Sequence, residues 1–272
     1  MDLDLDGRVA VVTGASQGIG RATARALAEH GAHVALLARR ADALDEVAVE
    51  LGALGAKTLA VPVDLTDGPA IEAAAGQVRA GLGTTEILVN NAGGASRQGA
   101  AFATFEQLDD EDWRWSFELN LLAPVRLTRA FLPDMREMGR GSIVMIASEA
   151  AIQPAPGLEH YGAAKAGLLN LARSLSREFG PQGIRVNTVS PGGIIRTDFI
   201  MQYLRQEAEK AGRTLDEFEA EFVRGNRPNL TAGRAGRPEE VADLVAFLVS
   251  PRAAFIDGAN YRIDSGSTLS LV

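Results

Sequence analysis

Short apolar runs alternate with stretches of helical periodicity along nearly the whole chain, and this alternation constrains the fold more than any other feature. The predicted strands are Val9–Thr13, Ala32–Leu37, Thr58–Val63, Ile87–Asn90, Ser142–Ile146, Arg185–Val189 and Tyr261–Ile263. The predicted helices are Arg21–His30, Ala41–Leu54, Pro69–Leu82, Leu121–Met138, Tyr161–Phe179 and Val241–Leu248. Because the strands are apolar on both faces, the pattern predicts a parallel sheet covered by helices on both sides. The fold class is therefore α/β, a doubly wound, three-layer αβα arrangement.

The composition fits one large domain and excludes several classes of function. Of the 272 residues, 46% are hydrophobic but only 6% are aromatic, so the core is built mainly from aliphatic side chains. A net charge of −8 disfavours nucleic-acid binding. Without cysteine there is no disulfide, thiolate nucleophile or cysteine-ligated metal, and no other residues show metal-ligand spacing. With no leader or membrane-spanning pattern, we expect a cytoplasmic protein.

One long segment interrupts the alternation. Residues 199–236 are charged and helix-prone and carry no strand pattern. We interpret about 197–236 as an insertion over the functional site, a helical substrate lid within a single domain spanning 1–272.

A glycine-rich turn joins the first strand to the first helix. Its candidate cofactor-binding residues are Gly14, Ser16, Gln17, Gly18, Ile19 and Gly20. Glycines allow backbone N–H groups to approach a pyrophosphate, and the helix N-terminus adds a favourable dipole. The spacing G-x-x-x-G-x-G is a variant of the dinucleotide-binding pattern. The alternative is a turn that needs glycine only for its geometry.

The end of the second strand bears on the choice of cofactor. An acidic residue there binds the ribose 2′-hydroxyl of NAD, whereas an arginine accepts the 2′-phosphate of NADP. This strand ends at Leu37-Ala38 and is followed by Arg39 and Arg40, and Ser16 could add a hydroxyl donor. The two arginines alternatively form a solvated helix start, and the nearby Asp42 leaves NAD open. The sequence predicts NADP(H) as the preferred cofactor, with NAD(H) as the alternative.

Tyr161 and Lys165 are four residues apart at the start of a predicted helix, so their side chains share one face. A nearby ammonium stabilises a phenolate and lowers its pKa, and a cationic nicotinamide ring acts in the same direction. Such a pair can serve as general acid for carbonyl reduction or general base for alcohol oxidation. Tyr-x-x-x-Lys pairs also occur by chance on many helices.

Two further features accompany these motifs: Asn90-Asn91-Ala92-Gly93 after the fourth strand and Ser148 after the fifth. Together with the glycine turn, Tyr161 and Lys165, they resemble the short-chain dehydrogenase/reductase family, whose members have the Rossmann fold. The resemblance runs from about Leu5 to Gly266 with the motifs in the family order. It implies a catalytic tetrad of Tyr161 as acid/base, Ser148 as the donor to the substrate oxygen, Lys165 as ribose anchor and pKa modulator, and Asn120 as the holder of a proton-relay water.

The resemblance also implies further cofactor contacts. Asp64 and Leu65 correspond to an adenine contact, and Asn91, Ala92 and Gly93 to the wall beneath the adenine ribose. Pro191, Gly192, Ile195 and Thr197 correspond to the segment that holds the nicotinamide carboxamide. Thr197 is one residue further from Pro191-Gly192 than is usual in the family.

The function implied is an NADP(H)-dependent enzyme that interconverts a ketone and a secondary alcohol, with 3-oxoacyl reduction as a leading guess. The alternatives are an NAD-dependent alcohol or diol dehydrogenase and a non-enzymatic nucleotide sensor of the same fold. The expected partners are a small-molecule carbonyl or alcohol and further copies of the chain, as a tetramer or dimer. We expect neither nucleic acid nor membrane as a partner. Trp113 and Trp115 are interpreted as packing residues, and His160 as a loop residue with satisfied hydrogen bonds.

Overall fold

The computed structural model describes residues 2–97, 103–193 and 198–270, and within them all seven strands form one parallel sheet. The strand order is β3-β2-β1-β4-β5-β6-β7, and every neighbouring pair is parallel. The strands are β1 (Val9–Thr13), β2 (His33–Ala38), β3 (Thr58–Pro62), β4 (Ile87–Asn90), β5 (Gly141–Ile146), β6 (Ile184–Pro191) and β7 (Asn260–Ile263). This order reverses direction between β1 and β4, where doubly wound folds place their ligands.

Helices cover both faces of the sheet, which confirms the predicted three-layer fold. The described helices are α1 (Gly18–Glu29), α2 (Ala41–Gly52), α3 (Gly68–Leu82), α4 (Asp110–Phe117), α5 (Ala123–Met138), α6 (Glu159–Phe179), α7 (Asp198–Lys210), α8 (Leu215–Asn226) and α9 (Pro238–Val249). Helices α1, α2 and α9 share one buried apolar cluster with the sheet, and α3, α5 and α6 share the other. Alternate residues of β1 enter opposite clusters, since side chains alternate between the two faces of a strand.

The predicted strands and helices agree with the structure to within three residues at each end, and one helix was missed. Asp109 is the N-cap residue of helix α4, and its side chain accepts a hydrogen bond from the Asp112 backbone N–H at 2.8 Å. Its residues carry no clear apolar stripe, so periodicity did not reveal it. Pro62 pairs in register with Ala38, which a proline can do because β3 is an edge strand.

The insertion between β6 and α9 contains α7 and α8 and no strand within its described residues, 198–236. It has a small apolar core formed by Leu204, Val223, Leu230 and Ala235. The backbone N–H of Thr231 donates to the carbonyl oxygen of Ser265 at 2.9 Å, which ties the insertion to the segment after β7. We call residues 198–236 the α7–α8 insertion.

No helix in the described ranges is both long and apolar enough to cross a bilayer. Nor do these ranges hold a group of three or more histidine and acidic side chains placed to bind a metal ion.

Candidate active site

A cleft of about 740 Å³ runs across the carboxyl ends of the central strands. It extends from the glycine turn after β1 to the beginning of α6. Most residues proposed from the sequence for the cofactor and the chemistry line it: Gly14, Ser16, Gln17, Gly18, Ile19, Arg39, Arg40, Asp64, Leu65, Asn91, Ala92, Gly93, Ser148, Tyr161, Lys165, Pro191 and Gly192. Gly20 and Asn120, the other described members of that set, are not among the residues that line the cleft. Ile195 and Thr197 lie outside the described residues.

The glycine turn is held against the end of β4. The Asn91 side-chain amide donates to the carbonyl oxygen of Thr13 at 2.8 Å, and the hydroxyl of Thr13 accepts from the backbone N–H of Asn91 at 2.9 Å. Gly14 has a φ of +65°, and a Cβ there would lie 2.9 Å from the Asn91 amide nitrogen. Gly20 permits closure of the turn, since a Cβ there would lie 2.2 Å from the Gly14 carbonyl oxygen. Gly20 is thus required for the packing of the turn, and its contact with the cofactor stays a prediction.

The turn leaves the N-terminus of α1 open to the cleft. Gln17 occupies the N-cap position, and its side chain makes no capping hydrogen bond within the part of the chain that the structure describes. A Cβ built on Gly18 would meet no described atom within 4 Å. The first N–H groups of a helix have no intrahelical acceptors and carry a partial positive charge. This geometry fits the pyrophosphate of a dinucleotide.

Two arginines and one carboxylate line the cleft beside the glycine turn, at the carboxyl ends of β2 and β3. Arg39 and Arg40 follow β2, and Asp64 follows β3. The Asp64 carboxylate accepts hydrogen bonds from the backbone N–H and the hydroxyl of Thr66 at 2.9 and 2.8 Å. These bonds keep the pKa of Asp64 below its ordinary value, and the positive charge of Arg39 acts in the same direction. Asp42 is not among the described residues that line the cleft.

Lys165 is buried at the centre of the cleft wall, with 2% of its surface exposed. Its Nζ donates to the carbonyl oxygen of Ile146 at 2.7 Å and lies 5.8 Å from the centre of the Tyr161 ring. Burial lowers the pKa of the Lys165 ammonium to about 8. A Cβ on Gly93 would lie 3.1 Å from Nζ, so glycine at this position leaves room for the lysine head group.

Ser148 and Tyr161 both line the cleft beside Lys165, so the two groups expected to hold the substrate oxygen lie on the same part of its wall. The pKa of Tyr161 is raised above its ordinary value because burial disfavours the phenolate. The nearby Ser148 hydroxyl lowers this pKa, and the negative charge of Glu149 raises it. Desolvation is thus the largest effect on the Tyr161 pKa in this structure, and the lowering of that pKa by Lys165 stays a prediction.

Asn120 is buried in a single π-helical turn, Glu118–Leu122, between α4 and α5. Its amide donates to the carbonyl oxygens of Gly94 and Ser116, both at 2.9 Å, and its Oδ1 accepts from the Gly94 N–H at 3.1 Å. Such π turns are frequent at functional sites. A Cβ on Gly93 would approach Asn120 Oδ1 to 2.7 Å and Lys165 Nζ to 3.1 Å, so both groups border the same glycine.

Several cleft residues had no counterpart in the sequence interpretation. Trp115, assigned to packing, lines the cleft, whereas Trp113 packs against Phe105, Phe117 and His160. His160 is buried within α6, and its Nδ1 finds no hydrogen-bond partner among the described residues, so the expected satisfied loop histidine was wrong. Other lining residues that were missed are Ala38, Val63, Thr66, Leu119, Ile146, Ala147, Gly193 and Arg227. They carry no motif, because only the fold brings them to the cleft.

Comparisons with known proteins agree with this geometry. The family model described as short chain dehydrogenase matches residues 8–208. The chain is 37% identical to the uncharacterized oxidoreductase YvaG of Bacillus subtilis, covering 100% of both chains. It is 35% identical to the 3-oxoacyl-[acyl-carrier-protein] reductase FabG of Escherichia coli, covering 97% of this chain and 98% of FabG.

A solved structure is similar over the full length. L-Sorbose reductase from Gluconobacter frateurii, crystallised with NADPH and L-sorbose, superposes with a TM-score of 0.92 at 35% identity and 100% coverage of both chains. The family match, the relatives and the shared fold establish that this chain belongs to the short-chain dehydrogenase/reductase family and is an oxidoreductase acting on CH–OH or C=O groups.

Proposed function

We propose that the protein reduces a ketone to a secondary alcohol with NADP(H), using Tyr161 as the general acid. The main support is the convergence of Ser148, Tyr161 and Lys165 at one end of a cleft whose other end is a glycine turn. The substrate carbonyl would lie beside Tyr161, with the cofactor along the wall from Gly14 to Lys165.

In this proposal each side chain has a separate task. When bound, a reduced nicotinamide supplies the hydride that the carbonyl carbon accepts. The hydroxyl of Ser148 donates a hydrogen bond to the substrate oxygen as negative charge develops there. Tyr161 transfers its phenolic proton to the same oxygen, which completes the alcohol. A raised phenol pKa keeps Tyr161 protonated at neutral pH, the form that reduction requires.

Lys165 holds the positive charge next to the reacting groups. Its Nζ is anchored on Ile146, and burial lowers its pKa to about 8, so it can exchange protons near neutral pH. When Tyr161 has given up its proton, the ammonium stabilises the phenolate until reprotonation. Asn120, which borders the same glycine as Lys165, is proposed to position a water for that step.

The cofactor assignment rests on the charge at the adenosine end. Arg39 and Arg40 both line the cleft there, and guanidinium groups suit a phosphate dianion. The similar L-sorbose reductase binds NADPH. We propose NADP(H) as the preferred cofactor, with NAD(H) and alcohol oxidation as the alternative.

Hydride transfer from NADPH to a panel of ketones tests the function. The purified protein should consume NADPH in proportion to the alcohol formed, and product should be identified by chromatography. Cofactor binding without turnover of any ketone or alcohol would overturn the proposal.

We also propose that the α7–α8 insertion acts as a substrate lid, and that the protein is a cytoplasmic homo-oligomer, tetramer or dimer. Light scattering of the purified chain tests the oligomeric state.

A further inference from the structure

A carboxylate stands next to the proposed oxyanion donor in the cleft. Glu149 directly follows Ser148 and begins a short 3₁₀ helix after β5. Its side chain is only 15% exposed, and a Cβ built on Gly192 would lie 2.5 Å from its Oε2. The carboxylate therefore sits against the backbone proposed to hold the nicotinamide, near where the substrate carbonyl would lie.

Three segments of the chain meet at this carboxylate. Oε1 pairs with the guanidinium of Arg227, at the end of α8, at 2.5 Å, and Oε2 accepts from the hydroxyl of Ser267, after β7, at 2.8 Å. Glu149 itself belongs to the loop after β5. Arg227 also lines the cleft, so the α7–α8 insertion contributes a cation where the β5 loop contributes an anion.

The pair presents directional polar groups to a substrate. An ionised carboxylate only accepts hydrogen bonds, and a guanidinium only donates them, with five N–H groups in a fixed fork. The Nη1 atom of Arg227 donates to Glu149 Oε1, and this single oxygen cannot accept hydrogen bonds from all five N–H groups of the guanidinium. A hydroxyl on the carbon next to the substrate carbonyl can donate a hydrogen bond to Glu149 and accept one from Arg227, as a water molecule would.

We propose, resting on the proposed ketone reduction, that Glu149 and Arg227 form a specificity pair that selects uncharged ketones bearing hydroxyl groups on the carbons next to the carbonyl. A ketone with methyl groups in place of those hydroxyls would displace water from the ion pair without making hydrogen bonds to replace the ones that water made. A ketone carrying a carboxylate there would gain little net attraction, because Glu149 repels it and Arg227 is already paired with Glu149. The substrate class is a small polyhydroxylated ketone.

A matched pair of ketones isolates this effect. Dihydroxyacetone and diethyl ketone have the same size and symmetry and differ only in hydroxyl against methyl, and acetoacetate adds a negative charge. We measure kcat/KM for all three with NADPH in the wild type, Glu149→Gln, Arg227→Met and Glu240→Gln. Glu240 pairs with Arg234 on the surface and does not line the cleft, so Glu240→Gln is the matched loss of one paired carboxylate.

The wild type should prefer dihydroxyacetone over both other ketones by at least about tenfold, the usual magnitude for a hydrogen bond to a charged group. Glu149→Gln should lower the ratio of dihydroxyacetone to diethyl ketone by roughly 10- to 100-fold. Arg227→Met should lower it by a smaller factor, and Glu240→Gln should leave it unchanged. The Kd for NADPH and the Tm of each variant report whether the cofactor site and the fold survive.

Equal or better use of diethyl ketone by the wild type would overturn the specificity pair while leaving ketone reduction intact. So would a Glu149→Gln variant that binds NADPH normally and loses activity equally on both ketones, because the residue would then act on the reaction itself. Failure of the wild type to reduce any ketone would overturn the proposed function, and this inference with it.

Discussion

The Nζ of Lys165 lies 2.7 Å from the carbonyl oxygen of Ile146, the last residue of β5. The contact fixes a buried cation at the end of strand β5, two residues before Ser148. This hydrogen bond joins the end of β5 to helix α6 next to the group proposed to transfer a proton. The position of the cation depends on the sheet rather than on a flexible loop, so its distance from Tyr161 is well defined.

Burial of the charged Lys165 side chain should lower the stability of the folded protein at neutral pH. A drop in pKa from 10.5 to about 8 corresponds to roughly 3 kcal/mol against the charged form. Below about pH 8 both the folded and unfolded forms carry the proton and the full cost applies. Between about 8 and 10.5 the unfolded form binds more protons, so stability rises with pH. Lys165→Met should therefore raise the free energy of unfolding at pH 7 by about 1–2 kcal/mol, after the loss of one hydrogen bond is subtracted, and the Tm should rise with it.

That gain should shrink as the pH approaches 10, while turnover is strongly reduced at every pH. Thermal unfolding from pH 6 to pH 10 checks this, with the exposed Lys57→Met as control. A Lys165→Met variant that is less stable than the wild type at pH 7 would contradict the assigned cost of burial.

Tyr161→Phe should remove the proton donor and keep the ring in place. We expect kcat to fall about 10²- to 10⁴-fold, the usual contribution of a general acid. The Kd for NADPH, measured by fluorescence titration, should change by less than about threefold because the substitution leaves the cleft wall intact. If Tyr161→Phe retained most of the activity, the proton donor would have to be another group.

Glu149 should influence the pH dependence of the reverse reaction. Its negative charge disfavours the Tyr161 phenolate and raises the tyrosine pKa, whereas Ser148 lowers it. Alcohol oxidation needs the phenolate, so its rate rises as the pH passes the tyrosine pKa. Glu149→Gln removes the charge and should move this rise to lower pH. Profiles of kcat/KM against pH for alcohol oxidation check the shift; movement to higher pH would refute the assigned effect.

The two arginines after β2 should determine the choice of cofactor. Replacing Arg39 and Arg40 together with alanine should lower the ratio of kcat/KM for NADPH over NADH by roughly 10- to 100-fold, since hydrogen bonds to a charged group contribute about 1.5–3 kcal/mol. Arg114→Ala, on the exposed face of α4, serves as the control. A wild type that prefers NADH would refute the NADP assignment.

Gly20 should tolerate no side chain. A Cβ there would lie 2.2 Å from a backbone oxygen of Gly14, so Gly20→Ala must displace the glycine turn. We expect a loss of about 1–3 kcal/mol in unfolding free energy and weaker cofactor binding. Gly76→Ala in α3, where a Cβ meets no described atom within 4 Å, should instead be stabilising by up to about 1 kcal/mol. Urea unfolding of both variants checks the contrast.

The doubly wound fold could be predicted from the amino-acid sequence, and the groups proposed to react were found there as well. Apolar runs that alternate with helices permit few arrangements other than a parallel sheet covered on both sides. The glycine turn and the Tyr161–Lys165 spacing are local, so each is visible without knowing what packs against it. The family resemblance, which the comparisons confirm, rests on the same local motifs.

The surroundings of those groups depend on contacts between segments that are distant in the chain, and these contacts are visible only in the tertiary structure. Arg227 and Glu149 are far apart in the chain, and their contact exists because the α7–α8 insertion folds back over the end of β5. The raised pKa of Tyr161 likewise comes from burial, which depends on every element packed around the ring. Motifs report bonded neighbours and helical spacing, whereas desolvation and contacts across the cleft arise only when distant segments come together.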